Sequence, residues 1–316
     1  MMNRNDVQVL CITAALALCP AMAAAQTTAP PAAAASAAPP ADAATPPAGQ
    51  EGPAQGGDPP GSNSDQPTDK PSLRAFCTDR PSKANVACTV DQGHFQLETD
   101  LYNTSIMNDQ GVHTTTDLYT NPTLKYGLTN TTDVQVNWAP YESVRTHDVH
   151  SGTDDTVSGV GDLYLRAKIA LVGDNTASFA ATLFPYVKAP TARSGIGDGA
   201  WEGGLIVPLV IKLNGSLNLT FNPEFDLFKN TADDGRHVNM AQLINLSWSL
   251  PANVNLIGEF WSDVNFDPTG SITQYSADLA VTWGFTHDIQ LDAGVNVGLN
   301  RATPAVQAYT GISHRF

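Results

Sequence analysis

From Gly93 to Phe316 the chain repeats one pattern: blocks of about ten residues in which apolar and polar side chains alternate one for one. A period of two puts every second side chain on the same face of a strand. A strand of about 9–11 residues, tilted, crosses the hydrocarbon core of a bilayer. Twelve such blocks are predicted, at 94–103, 115–126, 132–144, 160–172, 176–189, 200–212, 216–228, 237–249, 253–266, 273–285, 288–300 and 306–316. The fourth is the clearest: Leu163, Leu165, Ala167, Ile169 and Leu171 alternate with Asp162, Tyr164, Arg166 and Lys168. The last ends on the aromatic Phe316 and is expected to close the sheet on the first. An open edge in lipid would leave N–H and C=O groups without partners.

The connections carry the same message. Longer ones are predicted at 104–114, 145–159, 190–199, 229–236, 267–272 and 301–304, and tight turns at 127–131, 173–175, 213–215, 250–252 and 286–287. Long loops on one side and short turns on the other mark outer-membrane barrels, and an even strand number returns both ends of the barrel to the periplasm. Pro122, Pro185, Pro208 and Pro223, within predicted strands, oppose the assignment. Proline removes a ladder donor, so each is expected at a bulge or a strand end. A soluble sandwich also alternates. A charged face opposite an apolar face on strand after strand favours instead an antiparallel transmembrane β-barrel, all-β, with its polar face inward.

Residues 1–25 read as a secretory signal: Arg4, an apolar core from Val9 to Leu18, then Ala23-Ala24-Ala25 before Gln26. The core is too short to span as a helix. Cys19 follows Leu18, where lipidation calls for a small residue. Residues 26–75 are rich in Ala, Pro, Gly, Gln and Asp, and read as a disordered periplasmic linker that cannot bury enough surface to offset its ordering entropy. In the next segment, 76–92, Cys77 and Cys88 are most simply a disulfide in an exported chain. A loop that short gains about 3 kcal/mol. The barrel then occupies 93–316.

With 31 acidic residues against 16 Lys and Arg, the formal charge is -15. Nucleic-acid binding needs a basic footprint and is excluded. The candidates to line the lumen are Glu98, Asp100, Asp117, Asp162, Glu202, Glu224, Asp226, Glu259, Asp263, Asp278 and Asp292, with Lys125, Arg166, Lys168, Lys188, Lys212 and Arg315. They suit a cation-favouring passage. They equally suit an interlocked ion-pair network that leaves little pore. Twelve strands make a lumen wider than one that side chains fill and narrower than a large porin's, and segment 76–92 is a candidate plug or gate. Tyr102, Tyr119, Tyr141, Tyr164, Tyr186 and Trp261 fall on the polar face, as stacking partners for aromatic solutes or as filling. Trp138, Trp201, Trp248 and Trp283 fall outward and suit interfacial belts.

No catalytic residue, metal or cofactor is expected. A barrel hydrolase would need a Ser–His pair oriented by a third group, and no motif supplies one. His147 and His150, near Asp148, Asp154 and Asp155, read as a solvated loop. Gly159-x-Gly161 and Gly195-x-Gly197-x-Gly199 are not phosphate loops, because no helix follows.

Several stretches belong together: F-C-T-D-R-P-S-K (76–83), D-Q-G-H-F-Q-L-E-T-D-L (91–101), N-P-T-L-K-Y-G-L-T (121–129), V-N-W-A-P-Y (136–141) and S-G-V-G-D-L-Y-L-R-A-K (158–168). G-G-L-I-V-P-L (203–209), W-S-D-V-N-F-D-P (261–268), L-D-A-G-V-N-V-G-L-N-R-A-T-P (291–304) and the terminal G-I-S-H-R-F continue the set. As a set they resemble the outer-membrane transporter family named for the MetA pathway of phenol degradation, over roughly 76–316. The resemblance implies passive passage of small solutes, aromatic ones among them, and carries over no catalytic residue. The alternative is a non-conducting structural or adhesive barrel. The expected partners are outer-membrane lipid, the barrel-insertion machinery and small solutes.

Overall fold

The computed structural model of the protein describes residues 73–173 and 177–316. The signal sequence and all of the linker up to residue 72 lie outside the described residues, as do Cys11 and Cys19. Sixteen strands follow one another: β1 (Phe95–Asp109), β2 (Val112–Leu118), β3 (Thr123–Thr129), β4 (Thr132–Trp138), β5 (Glu142–Asp148), β6 (Thr153–Gly159), β7 (Leu163–Val172) and β8 (Phe179–Ala189). Then come β9 (Glu202–Ile206), β10 (Leu209–Lys212), β11 (Leu217–Lys229), β12 (Arg236–Leu250), β13 (Val254–Asn265), β14 (Ile272–Gly284), β15 (Ile289–Gly298) and β16 (Val306–Arg315). Among the described residues there is no α-helix, only a 3-10 turn at Pro251–Asn253. Every strand pairing is antiparallel, and β16 pairs with β1 from Gln96 opposite Arg315 to Ile106 opposite Val306. The last strand thus satisfies the edge of the first, and the sheet is a closed barrel.

Four staves of the wall are built from two segments each: β2 with β3, β4 with β5, β6 with β7, and β9 with β10, so sixteen strands make twelve staves. Proline explains three of the breaks. Pro122, Pro140 and Pro208 fall in the gaps 119–122, 139–141 and 207–208, where a missing N–H costs no ladder bond. Pro185 and Pro223 stay inside β8 and β11, opposite Leu205 and Gln242. The wall stays stitched around the β9–β10 gap, because Val207 N donates to Pro223 O at 2.9 Å and Thr182 N to Pro208 O at 3.0 Å.

Two predicted long loops are mostly strand. Residues 104–114 form the tip of the β1–β2 hairpin, turning at Gln110-Gly111, both with positive φ (45° and 86°). A two-residue turn of that hand matches strand twist and lets the ladder run to its end. Residues 145–159 likewise pair as β5 and β6. The expected asymmetry remains: these hairpins and the segment 190–201 rise at one end, and tight turns close the other.

The two faces of the wall are chemically opposite. Leu165 is 49% exposed on the outside, flanked by Val136 and Val187 on the neighbouring staves. Phe225, Leu227, Leu246, Leu279, Val281 and Leu299 share that outer surface. On the inside, Gln96, Lys168, Thr182, Ser276 and Ser313 are almost wholly buried. Trp248 and Trp283 stand outward beside the tight turns and Trp201 near the opposite rim, which gives the apolar band an aromatic edge at each end.

At one level of the wall the alternation changes phase. A register shift between Asp100 and Tyr102 on β1, the gap at 119–122 (Thr120 φ 116°), the gap at 139–141 and the gap at 160–162 lie on four adjacent staves. Above it, Leu118 and Glu142 are cross-strand partners that face inward. Asp117 and Ser143 therefore face out. Asp117, expected in the lumen, instead accepts hydrogen bonds from the Tyr102 hydroxyl (2.6 Å) and Arg145 (2.5 Å) on the outer face. Tyr102, Tyr119 and Tyr141, also expected inside, form an exposed outer row with ring centroids 5.6 and 5.7 Å apart. An extra or unpaired residue moves every later side chain to the opposite face.

Replacing Leu165 by Lys is expected to destabilise the folded barrel in vesicles by about 2–4 kcal/mol, the midplane cost of a cation on the lipid face. Denaturant titration measures it. Unchanged stability would place the side chain in the lumen.

Candidate functional site

The space inside the wall is shared with a part of the chain that is not wall. Cys77 and Cys88 are disulfide-bonded, with Cα atoms 6.5 Å apart, and gather residues 77–88 into a compact inner segment. Ala84, Ala87, Cys88, Val90 and Asp91 within or beside it are buried. Its partners lie around the circumference: Glu98 on β1, Lys125 on β3, Asp133 on β4, Lys168 on β7, Thr182 on β8, Glu259 on β13, Asp278 on β14, Asp292 on β15 and Arg315 on β16. A segment that touches inward side chains on so many staves lies in the lumen. It sits at the tight-turn end, since Arg74 and Thr89 both donate to Asn130 O in the turn after β3. Two glycines let it approach the wall. A Cβ at Gly127 would overlap the backbone of Val90 and Asp91, and one at Gly311 would overlap the Arg80 guanidinium.

Charge holds the segment. Asp79 lies between Lys125 at 2.5 Å and Lys168 at 2.6 Å, and Lys125 also reaches Glu98 at 2.6 Å. Arg80 pairs with Asp100 at 2.7 Å and with Asp292 at 2.8 Å. Lys83 pairs with Asp278 at 3.1 Å and lies over the Trp261 ring. Glu259 accepts from the backbone N–H groups of Lys83 and Ala84, both at 3.2 Å. Arg315 pairs with Asp91 at 2.9 Å and Asp288 at 2.6 Å. A buried carboxylate with no cation would be strongly unfavourable. Cations of the inner segment thus partner some of the inward carboxylates, Asp100, Asp278 and Asp292 among them.

Of the other expected lumen residues, Lys188 gathers Asp162, Asp198 and Glu202 at 3.5, 2.9 and 2.7 Å. Asp226 accepts from the Tyr186 hydroxyl (2.7 Å), and Asn239 bridges Asp226 and Asp263. Lys212 departs from the expectation: it is exposed beside a tight turn and joins none of these pairs. Glu142 and Leu118 are inward residues that the two-residue pattern misses because they lie above the change of phase.

Two cavities lie along the lumen among the described residues. The inner one, of about 410 Å³, has Asp79, Arg80, Ser82 and Lys83 as its floor and Glu224 and Tyr186 on its wall. The outer one, of about 510 Å³, is lined by Glu142, Asp162 and Lys188 and roofed in part by Ala192, Ile196 and Asp198 of the segment after β8. Asn121, Asn137, Tyr164 and Arg166 line both and mark the neck between them. At the rim, His147 bonds Asp154 at 2.7 Å while His150 turns to Gln110 O. Among the described residues no group of His, Cys, Asp and Glu is arranged to hold a metal.

Compared with solved structures, the barrel is similar to an outer membrane channel from Pseudomonas putida F1, with a TM-score of 0.59 at 15% identity over 75% of this chain and 100% of that one. It is also similar to the NanC porin, with a TM-score of 0.44 at 10% identity over 70% of this chain and 98% of that one. The KdgM porin, in complex with disordered oligogalacturonate, gives 0.43 at 6% identity over 71% and 99%. No curated protein matches the chain. The profile of the family described as "Putative MetA-pathway of phenol degradation" matches residues 78–316, which span most of the inner segment and the whole barrel, and the chain belongs to that family.

Proposed function

We propose that this protein is an outer-membrane channel, not an enzyme, for passive entry of small solutes, and that segment 76–92 is its plug. In this reading the signal sequence exports the chain and linker 26–75 lies in the periplasm on the plug side. The long hairpins then face outward, and a solute enters through the outer cavity, the neck and the inner cavity. The observation that carries the reading is that the two cavities share four lining residues, Asn121, Asn137, Tyr164 and Arg166, and that the inner one reaches residues of the plug. A barrel that served only as a wall would have no use for a solute-sized space above its plug. The lumen-lining residues at work are the inward carboxylates and cations named above. The rings of Tyr164 and Tyr186, with centroids 6.1 Å apart, offer apolar area to an aromatic solute.

The second reading, a non-conducting structural barrel, draws on the ion pairs that hold the plug. Single-channel recording in a planar bilayer separates the two. Protein of residues 26–316 is expected to show rare or small steps, and protein of residues 93–316 stable large ones. Without the plug, Asp100, Asp278 and Asp292 lose their cations, so the truncated channel is expected to favour potassium over chloride. Silence in both, with heat-modifiable folding intact, would leave the structural reading.

Arg80→Ala strands two buried carboxylates and is expected to weaken plug docking by about 3–5 kcal/mol, the usual cost of breaking a buried pair on one side. The measurement is protease cleavage within 76–92 together with the frequency of open steps, both rising. Reducing the disulfide is expected to act in the same direction, because it frees the loop to leave the lumen as an extended chain.

A further inference from the structure

The neck holds a cation that forms no ion pair, although Glu224 and Asp79 act on it at longer range. The cations lining the two cavities are Arg80, Lys83, Lys125, Arg166 and Lys188. Four of them have carboxylate partners within 4.0 Å. Among the described residues Arg166 has none, and it donates a long hydrogen bond of 3.4 Å to Asn137 Oδ1. Its guanidinium lies over the Tyr164 ring, 5.1 Å from the centroid. The ring covers the cation, and Arg166 lines both cavities.

We infer that Arg166, with Tyr164 against its face and Tyr186 beyond, is a recognition site for small aromatic monocarboxylates at the neck of the lumen. An unpaired guanidinium presents parallel N–H donors that match the two oxygens of a carboxylate. The two tyrosine rings supply the apolar surface that an aromatic ring covers and a short aliphatic acid cannot. Asn121 and Asn137 add neutral amides to the same neck and bring no charge of their own. Lysine or arginine side chains elsewhere in the cavities are poor rivals, since a solute carboxylate there would have to displace a protein carboxylate already in contact. The inference deepens the channel reading and rests on the cavities being open to solute from the long-hairpin end.

The test is equilibrium binding to the purified full chain in detergent, by calorimetry or by saturation-transfer NMR, with benzoate, benzyl alcohol and acetate as probes. Benzoate is expected to bind about tenfold more tightly than either of the others, as one charge-assisted fork or one ring stack contributes roughly that factor. Arg166→Gln is expected to remove the preference for benzoate over benzyl alcohol, and Tyr164→Leu the preference over acetate. Each variant is first checked for heat-modifiable mobility. Equal binding of benzoate and benzyl alcohol by the unaltered protein would overturn the inference without any variant. So would a preference that survives Arg166→Gln. Binding is read without conduction, so the two readings fail separately. Benzoate held at Arg166 in a silent barrel would sink the channel alone, and open steps with no benzoate preference would sink this site alone.

Discussion

A backbone amide in hydrocarbon has no water to turn to. The pairing of β16 with β1 meets that demand and everything else in the molecule follows from it. A sheet forced to close has an outside and an inside with no shared edge. The outside meets lipid and takes the Leu, Val, Phe and Trp of each stave. The inside is sealed from lipid and takes the Gln, Asp, Glu and Lys that would be intolerable outward. The two-residue period of the sequence is the trace of that single closure.

Closure also creates a difficulty that the chain resolves with its own N-terminal part. Twelve staves enclose more room than inward side chains fill, and the acidic ones repel each other across it. The disulfide-bound segment brings Arg80 and Lys83 to the acids and Asp79 to the lysines, so that opposite charges meet across the boundary between segment and wall. Such pairs gain little over an apolar packing of the same shape, yet each is costly to break singly. An apolar filling would grip without preference for position. Paired charges define one seat and can be re-solvated when the segment leaves it.

The sequence makes the barrel legible because burial on one face of a strand has a short, local signature. Stave number, the tight turns and the inward position of Glu98, Lys125, Lys168, Glu259 and Asp292 all follow from counting by twos. Counting fails where the count is broken. Counting from residues below the change of phase turns Tyr102, Asp117, Tyr119 and Tyr141 inward, and Pro140 and the Asp100–Tyr102 bulge reset the parity above it. Pro140 was a readable warning; the bulge has no comparable mark. The inner segment's partners are not legible at all, since Arg80 and Asp292 are far apart in the chain and meet only once the wall is curved. Nor could the sequence single out Arg166, because what distinguishes it is a missing partner in space.

Arg80 spans Asp100 on β1 and Asp292 on β15, and Arg315 on β16 reaches Asp91 just before β1. These bonds straddle the seam at which the newest strand meets the oldest. A slip of one residue at that seam would turn Asp292 or Arg315 toward lipid and leave Arg80 holding half its contacts. The first part of the barrel domain to be made therefore carries a gauge for the last. Alignment of the final two strands is checked chemically at the moment the ring is completed, and a misaligned ring is penalised twice, once in the wall and once at its centre.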